Sequence, residues 1–578
     1  MHPEQLKFDK KFLQDLWNLL KPYWVSEEKK LAWVLLFLLM LCVVCEVTAG
    51  IGFNYFYKFF YDALQSFDTH KIINSFYYFV AVRALFTAAV AATVFLSGTL
   101  SIRWQRWLTQ YYLHRWLQEH THYRLQFLSQ KIDNPDQRIT EDLQKFTELT
   151  LRLLFGPYML IQQLLYLVSF SVILWNLSKN FPLQIGRHSF LIPGYLLWIA
   201  LFYGAFGVVV IVQLGKKLSF LDYLQQRLNA DFRFSLIRMR ESSEQVSFSR
   251  GEPMENKKFR YFFNLIFHNF LNIVSLNTRL AFFNRCYDYL SYAIGFAVCI
   301  PAYLGKLVGL GMVMQTSSAY SFVVGSISLF LEEFQSFSDW RSVIYRLTEF
   351  RHSMESLPTS VEQKIIIRKQ EVPFILVSNL QLAWPDGKKL PRNIQWKIAL
   401  GEKILLQGPS GSGKSTLLRA MAGIWMYGTG EIILPKNASI LFLPQKTYFP
   451  LGSFKELLSY PHDSNEEERI DEVLKLCLLE KFKPYLHDEK SWTHQLSLGE
   501  QQLLAFARIF YAKPDILFLD EATASLDEAT EFQLYENLKL FLPKVTLISV
   551  GHRKTLLQFH EKVVDLDQLS SNNRIHEY

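Results

Sequence analysis

Long apolar runs recur before about residue 340, and after about residue 360 they give way to short β-branched runs, glycine turns and helical periodicity. A membrane span needs about 20 mostly apolar residues to cross the hydrocarbon. Six stretches reach that length, at about 31–56, 75–100, 151–177, 189–214, 280–305 and 313–334. ALFTAAVAATVFL and YLLWIALFYGAFGVVVIV are clear, whereas Arg285 and Asp288 interrupt the fifth span and a serine-rich segment the sixth. Charged side chains persist in lipid only against protein or a water-filled cavity, so Arg285 and Asp288 are expected to face inward. Glu46 in the first span, Arg83 in the second and Asp288 in the fifth either line a polar path or satisfy one another as structural pairs.

The connections at about 101–150 and 215–279 keep helical periodicity with few glycines or prolines. With a rise of about 1.5 Å per residue, helices this long carry the spans well beyond the bilayer. Each should turn where helix breakers sit, near NPDQR (Asn134 to Arg138) and near RGEPMENKKF (Arg250 to Phe259). Those tips are natural docking points for a cytosolic partner. At the N-terminus, Phe12, Leu13, Leu16, Trp17 and Leu20 fall on one helical face, which suits a helix lying on the cytoplasmic leaflet; an ordinary packed helix is the alternative. The pattern divides the chain into an interfacial helix (1–30), a six-helix transmembrane domain with long cytosolic extensions (31–345), a linker (346–369) and a water-facing α/β domain (370–578).

Composition agrees with two unlike halves, since 50% of residues are apolar and 20% are charged. A net charge of +8 could suggest nucleic acid. No RRM, KH or zinc-finger spacing accompanies it, so nucleic acid is not an expected partner. The basicity reads instead as membrane orientation. Lys7, Lys10, Lys11, Lys21, Lys29 and Lys30 precede the first span and Arg103, Arg106, Arg115, Arg124, Lys131, Arg138 and Lys145 follow the second, while the first and third connections are nearly bare. Both termini and both long loops are therefore expected in the cytoplasm. Five scattered cysteines make no disulfide framework, and the Cys42/Cys45 pair lies in an apolar run as small lipid-facing or packing residues. The first apolar run begins too late and runs too long for a cleaved signal, so insertion should be permanent.

In the water-facing half, GPSGSGKST comprises Gly408, Pro409, Ser410, Gly411, Ser412, Gly413, Lys414, Ser415 and Thr416. It follows the strand-like KILLQ and precedes a helical run, the context that a phosphate-cradling loop requires. Backbone N–H groups and the helix N-terminus would hold the phosphates of ATP, Lys414 would reach the β- and γ-phosphates, and the Ser415 hydroxyl would ligate Mg2+. ILFLDE then delivers Asp520 and Glu521 to the edge of a buried strand. Asp520 is expected to hold magnesium indirectly, and Glu521 to polarise the attacking water as general base. Gln445 ends another strand and could touch both magnesium and that water. His552 follows the strand after the acidic pair and could contact the γ-phosphate. Trp384, just ahead of a Pro-Asp-Gly turn, could stack on adenine, although a lone tryptophan before a turn is more often core.

These ordered residues resemble the ATP-binding cassette (ABC) family, with Gln445 as the Q-loop, LSLGEQQ (Leu496 to Gln502) as the signature, ASLD ending in Asp527 as the D-loop and His552 as the switch. WLTQYYLHRWL, NPDQRITEDL and DFRFSLIRMRESSEQVSFSRGE further resemble the SbmA/BacA-like transmembrane domains fused to a cassette in YddA-like bacterial proteins and subfamily D. The resemblance implies an exporter-like membrane α-helical domain joined to an α/β P-loop nucleotide-binding domain. It implies that Ser497 and Gly499 contact ATP held by a second copy of the chain, beside Glu500 and Asp527. Leu498 and Glu500 stand where the common pattern has glycine and glutamine, which reads as a variant of a competent site. A homodimeric ATPase moving a peptide, a cobalamin-like compound or another hydrophilic solute across a bacterial inner membrane follows, with import and export both open. A non-transporting ATP-gated regulator and an acyl-CoA or lipid transporter are the alternatives.

Overall fold

The computed structural model describes residues 10–127, 134–156, 160–180, 183–185, 188–190, 192–356, 365–409, 411–462 and 467–569. Two compact units emerge: Met1–Gln118 with Ile132–Glu355, and Glu119–Lys131 with Ser356–Tyr578.

The first unit is helical. α1 (Lys10–Trp24), α2 (Lys29–Gln65) and α3 (Thr69–Leu117) come first. The single turn α4 (Thr121–Arg124) that follows α3 falls in the second unit, and α5 (Pro135–Gln137), α6 (Leu143–Phe155) and α7 (Leu160–Leu177) resume the first. A short hairpin of β1 (Leu183–Ile185) and β2 (His188–Phe190) precedes α8 (Tyr195–Glu241). α9 (Ser243–Phe248) closes the far end of α8 before α10 (Glu252–Ala297) returns, and α11 (Ile300–Leu304), α12 (Leu310–Glu332) and α13 (Phe334–Glu355) complete the unit.

Among the described residues, three helical stretches are long and apolar enough to cross a membrane: Lys29–Gln65, Thr69–Phe127 and Pro135–Leu177. Tyr195–Val210 is apolar but shorter. The fifth and sixth expected spans fold as α10 and α12 but are not among these three. Arg285 and Asp288 on α10, expected to face inward, are exposed on the single chain. Their own unit does not supply the cover that a charge in lipid requires.

Helix α2 shows why the bundle closes. Leu35, Leu39, Val43, Glu46, Gly50 and Asn54 recur at helical spacing and are all buried or nearly so, giving one face that packs inward. A side chain at Gly50 would meet the Tyr166 hydroxyl at 2.6 Å, so the lack of one lets α7 approach. Glu46 is a fixed tie between helices. Its carboxylate accepts from the Thr93 hydroxyl and the Gln162 amide, each at 2.6 Å, and its backbone carbonyl accepts from Tyr166 at 3.2 Å. Arg83 lies over the Phe53 ring at 3.7 Å. Glu46 and Arg83 are thus held by their own neighbours rather than by each other. In α1, Leu19 and Tyr23 are buried while Leu13 and Trp17 stay exposed, leaving an apolar strip on its outer face.

The second unit is a layered α/β fold. β6 (Lys403–Gln407), β8 (Ile440–Leu443), β11 (Ile516–Asp520), β12 (Thr546–Val550) and β13 (Lys562–Asp565) form a parallel sheet in the order β13-β6-β12-β11-β8. β3 (Ile366–Gln370), β4 (Phe374–Leu382), β5 (Ile394–Ala399) and β7 (Gly428–Pro435) form a second sheet, ordered β3-β7-β4-β5, in which β4 runs antiparallel to both of its neighbours. β3 therefore begins inside the stretch read as a linker, and α13 fills that stretch up to Glu355.

Alternation along β11 sorts its side chains. Leu517 and Leu519 pack with α15 (Phe454–Ser459), α16 (Glu467–Leu476), α18 (Leu498–Ala512) and α19 (Glu528–Phe541), while Ile516 and Phe518 pack with α14 (Lys414–Met421) and the second sheet. A two-stranded pair, β9 (Gly452–Ser453) with β10 (Glu489–Lys490), and the short α17 (Trp492–Gln495) complete the helical side. The reversal after α3 also belongs to this unit: Phe127 meets the rings of Trp425 at 5.3 Å and Tyr427 at 6.0 Å. The turn thus starts at Gln118, ahead of the breakers at NPDQR, with Glu119 and His120 in the left-handed region.

Candidate ATP site

β6 ends at Gln407 and the chain curls through the glycine-rich loop into α14. Gly413 starts that helix at φ +101°, a backbone conformation that favours glycine. Arg392 buttresses the loop by donating to the Ser412 carbonyl at 2.9 Å. Lys414 is buried within the curl, its ammonium donating to the carbonyls of Gly408 at 2.7 Å and Pro409 at 2.9 Å. Thr416 is buried one turn into α14, and Ser410 lies outside the described residues.

The parallel register sets Asp520 beside Val550, with its side chain on the face that α14 covers. The Ser415 hydroxyl donates to Asp520 at 2.8 Å. Burial pushes the Asp520 carboxyl above its ordinary value, and the Ser415 hydrogen bond opposes that rise. Glu521 follows at φ +51°, a conformation that costs a non-glycine residue about 1–3 kcal/mol and that clusters at functional positions. Its N–H donates to Val550 O at 3.1 Å, which holds the strained residue against β12. The carboxylate is flanked on two sides. Gln445 donates to Oε2 at 2.9 Å, and His552 Nε2 lies 3.7 Å from Oε1.

Trp384 is 47% exposed on a tight hairpin, its indole edge-on to Trp425 at 6.1 Å. Ser497 caps α18 through a reciprocal box with Glu500, and Lys481 pairs with the same carboxylate. A Cβ at Gly499 would find only ordinary contacts at 3.7 Å, so its own unit does not demand glycine there. Leu498 beside it is 70% exposed. Asp527 caps α19 by accepting from the Thr530 N–H at 3.1 Å, and hydrogen bonding from Thr530, through its side chain first and its backbone second, holds the Asp527 carboxyl below the usual range.

The structure thus joins Ser415 to Asp520, and Gln445 and His552 to the adjacent Glu521, while Lys414 bonds carbonyls of its own loop and the hydrogen bonds of Ser497 run to Glu500. Three supporting residues escaped the sequence reading: Arg392, Gln502, which accepts from the Ser525 N–H at 2.8 Å, and Arg553, which donates to the Ala524 carbonyl at 3.0 Å. Arg392 and Arg553 are lone polar residues and Gln502 ends the signature stretch itself, but the backbone partner of each leaves no trace in sequence spacing.

Residues 19–304 match the family model of ABC transporter transmembrane region 2, and residues 391–524 match that of the ABC transporter. A Haemophilus influenzae protein named uncharacterized ABC transporter ATP-binding protein is 33% identical over 93% of this chain and 90% of its own length. The chain belongs to the ABC transporter family. Such transporters carry a cassette that binds and hydrolyses ATP to drive transport. The chain is also similar to the inner membrane ABC transporter ATP-binding protein YddA of Escherichia coli, at 28% identity over 95% of this chain and 96% of that one. The human lysosomal cobalamin transporter ABCD4 is 25% identical over 97% of this chain and 95% of its own. A bacterial Atm1-family ABC exporter solved with ATP bound shares the fold, with a TM-score of 0.67 over 92% of both chains at 18% identity.

Proposed function

We propose that two copies of this chain assemble head to tail as a homodimeric transporter that moves a hydrophilic solute, a peptide or a cobalamin-like compound, across a bacterial inner membrane. The observation that carries this reading is the Glu521 carboxylate set between Gln445 and His552, next to the Ser415–Asp520 pair. That constellation suits a base acting on water at a γ-phosphate. Ser415 and Asp520 offer hard oxygen atoms, which fits Mg2+, a cation that takes one or two carboxylates and completes its shell with water and phosphate. Gln445 donates through its nitrogen and keeps its amide oxygen for the same ion. Magnesium, when bound, would neutralise charge developing on the phosphates. Lys414 and the loop N–H groups hold those phosphates, Trp384 stacks on the base, and Glu521 takes the proton of the attacking water.

The second copy is called for by what one chain leaves unused. Gly499 is small for no reason within its own unit, and Arg285 and Asp288 are charged, exposed and on a helix expected in the membrane. A two-fold dimer would set each LSLGEQQ against the partner's ATP and cover those charges. The packing of Phe127 on Trp425 offers a route by which cassette closure moves the helices. The cytoplasmic lysines and arginines of the long loops support an internal ATPase and internal termini. The cobalamin-like cargo follows the human relative named as a cobalamin transporter, and the inner-membrane placement follows the relative YddA.

Reconstitution into liposomes with ATP on the cassette side tests the reading against a panel of peptides, corrinoids and lipids. ATP-dependent movement of a peptide or corrinoid is expected. With Glu521→Gln, nucleotide should still bind while turnover and transport stop. Wild-type hydrolysis by that variant, or full-rate hydrolysis by a strict monomer, would overturn it.

A further inference from the structure

At the start of α18, the Glu500 carboxylate makes more contacts than a helix cap needs. One oxygen, Oε2, accepts from the Ser497 N–H at 2.8 Å and from the Ser497 hydroxyl at 2.9 Å, while the Glu500 N–H donates to Ser497 Oγ at 3.3 Å. The other oxygen, Oε1, pairs with the ammonium of Lys481, which comes from a separate turn, Glu480–Tyr485. The side chain of Lys481 is 63% exposed and that of Glu500 20%. Lys481 holds the Glu500 carboxyl below the usual range.

A Ser-x-x-Glu box satisfies two backbone donors by itself and requires no lysine. An ion pair this exposed also contributes little to folding. The pair matters more through charge, an argument that rests on the composite site proposed above. There, the Ser497 hydroxyl donates to the γ-phosphate of ATP held by the second copy. Glu500 stands where the common pattern has an uncharged glutamine. It brings a negative charge towards a multiply charged phosphate, and it already accepts the proton that Ser497 would offer.

We propose that Lys481 is a positioning residue for ATP: paired with Glu500 Oε1, it offsets the negative charge this carboxylate would set against the γ-phosphate, so that Ser497 can donate across the dimer to that phosphate. Lys481 touches no nucleotide itself. It acts through Glu500, and its contribution disappears once position 500 is uncharged.

The test is a double-mutant cycle on the reconstituted full-length transporter, reading KM for ATP and kcat separately. Glu500→Gln keeps the capping box, because glutamine serves at that position as well as glutamate. Lys481→Met should raise KM for ATP by about tenfold with kcat within about twofold, and the rise should shrink at high salt. In the Glu500→Gln background, Lys481→Met should change KM by less than about twofold. Thermal unfolding of each variant checks that the fold is retained. An unchanged KM in folded Lys481→Met, or an equal rise in both backgrounds, would overturn the proposal. Ser497→Ala separates the two levels. If Ser497→Ala hydrolyses ATP normally, the composite site itself is wrong; if it is inactive while the cycle shows no coupling, only the role of Lys481 falls.

Discussion

Gln445 donates its side-chain amide to the Glu521 carboxylate at 2.9 Å, joining the end of one strand to the strained residue that follows another. Gln445→Glu would set two carboxylates at hydrogen-bond distance, where they cannot both stay ionised and must share a proton. ATP turnover at neutral pH should fall by about tenfold to a hundredfold, and the acid limb of the pH–rate profile should move upward. A steady-state ATPase profile checks this. A variant with the wild-type acid limb would show that the two side chains do not interact during turnover.

Trp384 presents an exposed indole on a hairpin closed by its own N–H to the Lys388 carbonyl at 2.8 Å and by the Gly387 N–H to its carbonyl at 2.9 Å. Stacking on a base contributes about 1–3 kcal/mol. Trp384→Ala should therefore raise KM for ATP by about tenfold, and Trp384→Phe should recover most of it. Equal KM values for the alanine variant and the wild type would show that the exposed indole does not stack on the base.

The cassette half was legible because its chemistry is local. A phosphate-binding loop must join a strand to a helix within a few residues, so GPSGSGKST carries its own context, and ILFLDE ends on the carboxylates it delivers. The membrane half was legible as length and apolarity, yet two features escaped. Residues 118–127 contain no glycine or proline, so the reversal after α3 could not be read from breakers; it is made by positive φ at Glu119 and His120. Glu46 looked like a candidate for a polar path because sequence shows the charge and not its partners. Thr93 and Gln162, which satisfy it, come from two other helices.

Arg508 is buried on α18 and donates to the carbonyls of Leu457 and Tyr448, each at 2.9 Å, with its guanidinium facing the rings of Phe449 and Tyr460 at 4.9 and 5.1 Å. Burial pushes its pKa down to about 10. Hydrogen bonds from charged donors contribute about 1.5–3 kcal/mol each, and Arg508→Met would leave both carbonyls without that partner. The second unit should lose about 3 kcal/mol of stability, read from denaturant unfolding of the full chain. Arg508→Lys should restore only part of it, because a single ammonium cannot span both acceptors with the geometry of a planar fork. Unfolding at the wild-type midpoint would show that the segment after Gln445 does not depend on this anchor.

His560 is buried between α19 and the sheet, its Nδ1 2.7 Å from the Leu556 carbonyl and its Nε2 2.9 Å from the Ser549 hydroxyl. A carbonyl can only accept, so Nδ1 carries the proton, and Nε2 accepts from Ser549 in the neutral ring. Burial holds its pKa below the ordinary 6.5, and the nearby Lys403 charge acts in the same direction. The unfolded chain then binds a proton at a pH where the folded imidazole does not. Stability is full above pH 6.5 and is lost as pH falls from there to the folded value. Melting temperature should drop between pH 7 and pH 5.5, and His560→Gln, which can keep one donor and one acceptor, should flatten that part of the dependence. An unchanged slope in the variant would assign the acid sensitivity to other groups.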